Sequence, residues 1–251
     1  MLIINADDYG RNAAATDNTL RVFRRGAIIS ASAMVFMDDS ERASQLALEA
    51  GLEVGLHLNL SEPFSKSVPS LLSESQDRIS SFLTGNRYSK MVYNPFLSRR
   101  FDYVFKAQYD EFIRIFGKEP SHIDGHHHFH LCANMVLGNV IPAGMIVRRN
   151  YTFSSGEKSR ANRLFRRLMD AWLRRSHVCT EYFFALPRRD QTERLRAILT
   201  LAAESSVEMM AHPEKDADFD VLMSDEFRHA LRDVVTAAHA DIKDRPDRAA
   251  R

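Results

Sequence analysis

Apolar residues along the chain fall into short runs, separated by stretches whose apolar positions recur every three to four residues. Leu2, Ile3 and Ile4 make the first run, short and continuous as in a strand covered on both faces. ATDNTLRVFRRG follows, where Leu20, Val22 and Phe23 give a helical face and Gly26 a stop. The alternation continues with a strand over 28–36, a helix over 41–51 ending at Gly51, and an alternating strand over 53–60. Residues 61–80 hold Pro63, Pro69 and many serines and read as a long loop. Helices over 101–116, 158–176, 192–203 and 225–240 interleave with strands over 145–149, 181–187 and 207–213. Strand then helix, six or seven times over, predicts an α/β fold with a mainly parallel sheet covered by helices, either open or closed into a barrel. No linker divides the chain, which reads as one domain over 1–243 with a polar tail over 244–251.

In such folds the reactive side chains gather beyond the carboxyl ends of the strands. The residues at those positions are Asp7 and Asp8, His57, Asp124 with His126, Arg148 and His212. Each is a ligand, acid, base or cation. Adjacent carboxylates repel unless something compensates them, although Asp is also an ordinary turn residue and Gly10 would close a turn. The densest cluster is HIDGHHHFH, residues 122–130. If extended, it would put His122, Asp124, His126, His128 and His130 on one face, with His127 and Phe129 opposite. Neighbours on a face are roughly 6–7 Å apart, so one or at most two of the five could reach a single ion. Gly125 fits a bend or a close approach to a ligand.

His57 lies in GLHLNL, where leucine or valine would ordinarily sit. Histidines at two strand ends, with a carboxylate pair at a third and no cysteine among them, form an N/O ligand set. That set suits an open, catalytic divalent-metal site better than a closed structural one. One aspartate of the pair would bind the metal, and its neighbour would stay ionised as a base toward water. His212, in MMAHP, is placed to act as the acid.

Composition narrows the field. With 45% hydrophobic and 27% charged residues over 251 positions, the chain can bury one substantial core. The 34 Lys and Arg against 33 Asp and Glu leave no overall field that points to nucleic acid or a membrane. Cys132 and Cys179 are far apart, which fits a reducing, cytoplasmic setting. No apolar run approaches the roughly 18 residues of a membrane span. The basic stretch RANRLFRRLMDAWLRR carries Leu164, Phe165, Leu168, Trp172 and Leu173 on one face. A buried stripe beneath a solvated basic face is the ordinary expectation, with contact to a membrane surface as the lesser reading.

NADDYG, GLHLNL, HIDGHHHFH and MAHP, in this order and spacing, resemble the YdjC-like carbohydrate deacetylases, the family that includes chitooligosaccharide deacetylases. The similarity runs from Met1 to Pro213 and more weakly beyond. It implies a distorted (β/α) barrel with outer helices that removes an N-acetyl group from an amino sugar or oligosaccharide in a metal-dependent hydrolysis. By motif, Asp8, His57 and His126 would hold one divalent ion, Mg2+ or Zn2+ being the leading candidates. Asp7 would be the base and His212 the acid or oxyanion partner. Asp124 would orient a neighbouring group and Arg148 would face substrate, with His128 a further supporting or substrate-contacting residue. The expected partner is an N-acetylated sugar, with no nucleic acid, and a homodimer stays open. Two departures stand out. The segment between His130 and Met145 is short and holds Gly138, which predicts a broken helix, and no closing strand is evident after Ala240.

Two other functions compete. Metal-assisted phosphoryl transfer also uses paired aspartates after a strand, but no glycine-rich phosphate loop is found and histidine ligands are unusual there. A catalytically inactive sugar-binding protein would share the fold, yet no part of the hydrolytic machinery is missing. Phe64, Tyr88 and Tyr93 could stack on sugar rings, though packing is the ordinary role of each.

Overall fold

The apolar run at the start of the chain becomes β1 (Leu2–Tyr9), buried along its whole length. In the computed structural model, which describes residues 1–153, 157 and 159–242 with the side chains of residues 161 and 165 excepted, the chain then alternates as its pattern predicts. The elements are α1 (Ala13–Arg24), β2 (Ser30–Ala33), α2 (Ser40–Ala50), β3 (Glu53–Leu58), α3 (Ser70–Gly85), α4 (Ser98–Phe116) and β4 (Ile123–Gly125). They continue with α5 (Ala133–Leu137), α6 (Arg160–Leu173), β5 (Tyr182–Ala185), α7 (Thr192–Glu204), β6 (Val207–Ala211), α8 (Asp216–Met223) and α9 (Asp225–Ala230). The 244–251 tail and Lys158 lie outside the described residues.

The strands form one sheet in the order β4-β3-β2-β1-β6-β5, every pair parallel. It curls into a half-barrel. Its open side is bridged by an extended segment that pairs Val147 with Ile123 of β4, and Ile146 with Val178. Farther along that segment, the Thr152 N–H donates to the Phe183 carbonyl of β5 at 2.8 Å. The predicted strand over 145–149 is thus reduced to isolated bridges, which makes the barrel a distorted one. On the other side of β1, Thr236 pairs with Leu2. β1 is a central strand, so this bridge does not close the barrel, and among the described residues no strand follows Ala240.

The large apolar core lies between the sheet and the helices, and a smaller cluster of Met1, Ile3, Ile146 and Ile242 packs on the inner face of the curl. Strand residues such as Leu2, Ile4, Leu56 and Leu58 meet Phe101, Phe105, Phe112 and Phe116 of α4. The Phe112 and Phe116 rings stack with centroids 4.3 Å apart. Asn12 caps α1 by accepting from the Ala15 N–H, and α2 and α4 end at Gly51 and Gly117 in the left-handed conformation.

Four expectations are corrected. The second half of the expected loop over 61–80 is helical, because α3 begins at Ser70 and runs to Gly85 with a buried face of Leu72, Ser75, Gln76, Ile79 and Leu83 at helical spacing. Ser75 and Gln76 are buried polar positions on that face, so the hydrophobic signal was too sparse to read. The helix over 225–240 ends at Ala230, because the chain must leave it to reach Leu2, and α8 precedes it. Residues 122–130 are not extended. β4 stops at Gly125, and 3₁₀ turns follow over His126–Leu131, with His127 and His128 at φ of 54° and 57°.

The fourth correction concerns α6. Its buried side holds Asp170 and Leu173, and the Arg149 guanidinium and the Asn150 backbone N–H both donate to Asp170. That anchor turns Leu164, Leu168 and Trp172 of the expected buried stripe outward, at 58, 61 and 43% exposure, and keeps Leu173 buried, while the Phe165 side chain lies outside those described. Among the described residues, no helix is long and apolar enough to cross a membrane.

Gly55 shows how tightly the strands pack. A Cβ there would lie 2.4 Å from the His122 ring and 2.6 Å from its carbonyl oxygen, whereas one at Gly85 meets nothing within 4 Å. Gly55→Ala is expected to destabilise the fold by about 1–3 kcal/mol through overpacking. Gly85→Ala should be neutral or stabilising by up to about 1 kcal/mol. Urea denaturation of the two variants checks the contrast, and equal effects would mean that β3 and His122 are less closely apposed.

Candidate active site

Between Ala6 and Tyr9 the register of β1 against β2 slips, with Ala6 opposite Ala31 and Tyr9 opposite Ala33. The extra residue forms a bulge at Asp7 and Asp8, and Asp8 takes a left-handed φ of 64°. Such bulges re-aim side chains, and Asp tolerates this conformation better than most residues. Two neighbours that would point to opposite faces of a regular strand therefore both point into the barrel mouth, where each finds a different partner.

Asp8 faces histidines. Its Oδ1 lies 3.2 Å from His57 Nε2 and 2.8 Å from His126 Nδ1. One ligand atom from each of the three residues lies within 4.8 Å of the others, and all three are buried. Donors that share a cation at about 2.1 Å with right-angle geometry sit about 3 Å apart, which these spacings match. Burial alone would raise the Asp8 pKa, but hydrogen bonds and charge from His126 and His57 hold it far below the usual carboxylate range. Burial disfavours a charged His57, yet Asp124, Asp8 and Asp7 outweigh it and hold its pKa well above that of a free imidazole. The pocket thus favours positive charge at this point. One carboxylate with two imidazoles is a donor set suited to Zn2+ or a similar divalent ion, with positions left open.

Asp7 faces Arg148. Arg148 Nη1 donates to Asp7 Oδ2 at 2.7 Å and Nη2 donates to Oδ1 at 2.8 Å, while Asn5 Nδ2 donates to Oδ1 at 2.9 Å. Arg148 is fully buried and not substrate-facing, a correction to the expectation from sequence. Its Nη1 also reaches Asp124 at 2.6 Å, and its Nε donates to Glu208 of β6 at 2.6 Å. Carboxylates from β1, β4 and β6 thus converge on one guanidinium. Burial works against the charge on Arg148, but Asp124, Asp7 and Glu208 raise its pKa well above the ordinary value. Burial alone would likewise neutralise Asp124 and Glu208. Arg148 and His57 keep Asp124 ionised, and Arg148 and His239 do so for Glu208.

Asp124 links the two halves of the site. It takes the His57 Nδ1 at 2.8 Å, which leaves Nε2 facing Asp8, and it accepts from Ser32 Oγ at 2.7 Å. A carboxylate behind an imidazole in this way fixes the tautomer and orientation of a metal-ligating histidine. The left-handed turns at His127 and His128 send the histidines of the run to separate places. His126 goes to Asp8. His128 packs against Tyr151 and Phe183, with ring centroids 4.7 and 5.7 Å away. His130 is buried with Nε2 3.0 Å from the Arg148 carbonyl oxygen. His212 lies one residue beyond the Ala6–Ala211 pair, so it shares the mouth with Asp7, and its backbone N–H donates to Asp218 at 2.8 Å.

Two further acidic and histidine clusters occur among the described residues, and neither is a plausible cation site. In the group of Asp7, His57 and Asp124, the Arg148 guanidinium already supplies the positive charge. In the group of Glu53, His122 and His239, hydrogen bonds occupy the His122 nitrogens. Ser32 gives its proton to Asp124, so His122 Nε2 donates to Ser32 Oγ at 3.0 Å, and Nδ1 accepts from Ser121 Oγ at 2.9 Å. Burial and the neighbouring His239 keep His122 neutral, while burial of His239 is outweighed by Glu208 and Glu53, which raise its pKa. Glu208, Ser32 and His239 were missed by the sequence reading. Glu208 lies within an apolar strand, VEMMA, and a charged residue there was the available signal.

The sequence profile of a family described as YdjC-like protein matches residues 1–233. A chitooligosaccharide deacetylase of Enterobacter sp. (strain 638) is 29% identical over 252 residues, covering 92% of this chain and 94% of its own. A carbohydrate deacetylase of Clostridium beijerinckii is 37% identical over 132 residues, which span 51% of this chain and 50% of that one. Among solved structures, a candidate cellobiose-phosphate cleavage protein of Enterococcus faecalis V583 is similar with a TM-score of 0.72 at 18% identity, over 96% of this chain and 98% of its own. That likeness is one of fold.

Replacing Arg148 by leucine would leave three buried carboxylates without their common partner. The expected loss is about 3–5 kcal/mol in urea denaturation, and a loss below about 1 kcal/mol would contradict the network. His130 gives a pH signature. Burial pushes its folded pKa down to about 4, against about 6.5 unfolded. Between those values only the unfolded chain binds the proton. Stability from this group is therefore complete above the unfolded value and falls with pH by up to about 1.4 kcal/mol per unit. Stability measured between about pH 4.5 and 6 should have a shallower slope in His130→Gln than in the parent. Equal slopes would mean that His130 is charged in the fold.

Proposed function

The chain belongs to the YdjC-like protein family, and from that premise we propose that it is a metal-dependent carbohydrate N-deacetylase, hydrolysing the amide of an N-acetylated amino sugar or oligosaccharide. The observation that carries the reading is the division of labour within one bulge. Asp8 joins His57 and His126 in a cation-type ligand set, while Asp7 beside it is fixed on Arg148. The Enterobacter relative, named a chitooligosaccharide deacetylase and aligned along nearly its whole length, supports the substrate class.

A divalent cation held by Asp8, His57 and His126 would polarise the acetyl carbonyl and make water easier to deprotonate. The chain's own residues supply the rest. A carboxylate has about four acceptor positions, two on each oxygen. Arg148 Nη2 and Asn5 fill both on Asp7 Oδ1, and Arg148 Nη1 takes one on Oδ2. The remaining position on Oδ2 is where Asp7 takes a proton from the attacking water. Arg148 prevents the carboxylate from rotating away and keeps it out of the ligand set. As the water oxygen bonds to the acetyl carbon, the C–N bond breaks, and His212 at the same mouth gives its proton to the departing amine. The products are acetate and the free amino sugar. Asp124 contributes by holding His57 with Nε2 toward Asp8.

Acetate release from chitooligosaccharides and a panel of N-acetylated sugars tests the reading. Metal-stripped protein should be inactive and should recover with one divalent ion among Mg2+, Zn2+, Mn2+, Co2+ and Ni2+. Asp7→Asn is expected to lower kcat by about 10²–10⁴ while still binding the ion. His212→Asn should lower kcat less for substrates whose leaving amine is more acidic. No release from any substrate with any ion would reject the reading, and full activity in Asp7→Asn would remove Asp7 as the base.

A further inference from the structure

We infer that Glu62 is a positioning residue for the metal ligand His126, and that Arg11 holds it in place from the rim of the site. The inference rests on the reading of Asp8, His57 and His126 as a cation site. His126 presents Nδ1 to Asp8 at 2.8 Å, and its other nitrogen, Nε2, lies 3.2 Å from Glu62 Oε1. His57 is arranged the opposite way round, with Nε2 toward Asp8 and Nδ1 on Asp124. Each imidazole therefore has one nitrogen on a carboxylate behind it and the other on the shared Asp8 oxygen. With the proton of His126 on Nε2, donated to Glu62, its Nδ1 lone pair is free for a cation.

The two supporting carboxylates are themselves held alike. Asp124 is gripped by the buried Arg148, and Glu62 by Arg11, whose Nη2 and Nε donate to its two oxygens at 2.7 and 3.1 Å. Arg11 also spans the mouth, because its Nη1 donates to Glu214 beyond β6 at 2.9 Å. Burial counts against the Arg11 charge, but Glu62, Glu214 and Asp8 raise its pKa above the ordinary value. The backbone of Glu62 is fixed as well. Its N–H donates to Asn59 Oδ1 at 2.9 Å, and its carbonyl accepts from Gln76 Nε2 at 2.8 Å and Asn59 Nδ2 at 3.0 Å. This explains the buried amide of Gln76 on α3, which no apolar pattern required.

The two supports differ in exposure. Asp124 is wholly buried, whereas the side chains of Glu62 and Arg11 are 24 and 29% exposed. Glu62 is also engaged through both oxygens by Arg11, which sets it apart from Asp8 as a ligand. The consequence is a graded effect. Removing Glu62 should loosen His126 without abolishing the site, whereas removing Asp8 should abolish it.

Cation binding by the full chain, measured with Zn2+ by calorimetry or equilibrium dialysis, reads this without any turnover. The parent and Glu62→Ala should both bind one equivalent, with the affinity of the variant about 10–100-fold weaker. Glu62→Gln keeps an acceptor oxygen and should recover part of the loss. Asp8→Asn should bind none. In the Zn2+-loaded parent, nitrogen-15 imidazole spectra should show His126 protonated at Nε2, and that proton should exchange faster with solvent in Glu62→Ala. An affinity within about threefold of the parent, with an unchanged His126 signal, would overturn the inference by making Glu62 a bystander. Complete loss of binding in a folded Glu62→Ala would overturn it differently, by making Glu62 a ligand. If the parent itself bound no cation, the underlying site reading would fail and take this inference with it.

Discussion

Three carboxylates can share the interior of this barrel only because a guanidinium lies among them. Asp7, Asp124 and Glu208 come from three separate strands, and each is within 2.6–2.7 Å of Arg148. Unpaired, any one of them would give up its charge or cost several kcal/mol to bury. Paired, they tie β1, β4 and β6 to the extended segment that bridges the open side of the sheet. The segment is weak in backbone pairing, with isolated bridges at Ile146 and Val147. Its side-chain anchor supplies what the ladder does not.

The same guanidinium divides the work within the site. By engaging both oxygens of Asp7, it makes that carboxylate unavailable to the cluster around Asp8. By holding Asp124, it fixes the imidazole of His57. Under the proposed function one aspartate is the ligand and its neighbour the base, and the β1 bulge together with Arg148 would stop them from exchanging roles. The left-handed turns at His127 and His128 are the counterpart on β4, since they bring His126 to Asp8 and return His130 to the Arg148 carbonyl. Non-glycine residues in that conformation carry a cost, and three of the five among the described residues, Asp8, His127 and His128, lie at or beside the Asp8 cluster.

Much of this was legible in the sequence, and the gaps have physical causes. The strand and helix order followed from apolar periodicity, and the rule that chemistry collects at strand carboxyl ends brought Asp7, Asp8, His57, Asp124 and His126 together correctly. Arg148 was found by position but expected to face substrate, because a lone arginine after a strand gives no hint of three buried partners distant in sequence. α3 was missed since its inward face uses Ser75 and Gln76, which read as loop. The extended reading of HIDGHHHFH failed because nothing in the residue types announces two successive left-handed histidines. α6 shows the limit from the other side. Its amphipathic pattern was plain, but the single polar anchor at Asp170 decided which face is buried.

The central claim is that one bulge makes Asp8 a ligand and Asp7, held on Arg148, a base. A crystal structure of the protein soaked in Zn2+, with anomalous data at the zinc edge, tests it most directly. The account predicts one strong peak about 2.0–2.2 Å from Asp8, His57 and His126, with Asp7 still paired to Arg148. A peak bound by Asp7 with Arg148 displaced, or no peak among these residues, would contradict it.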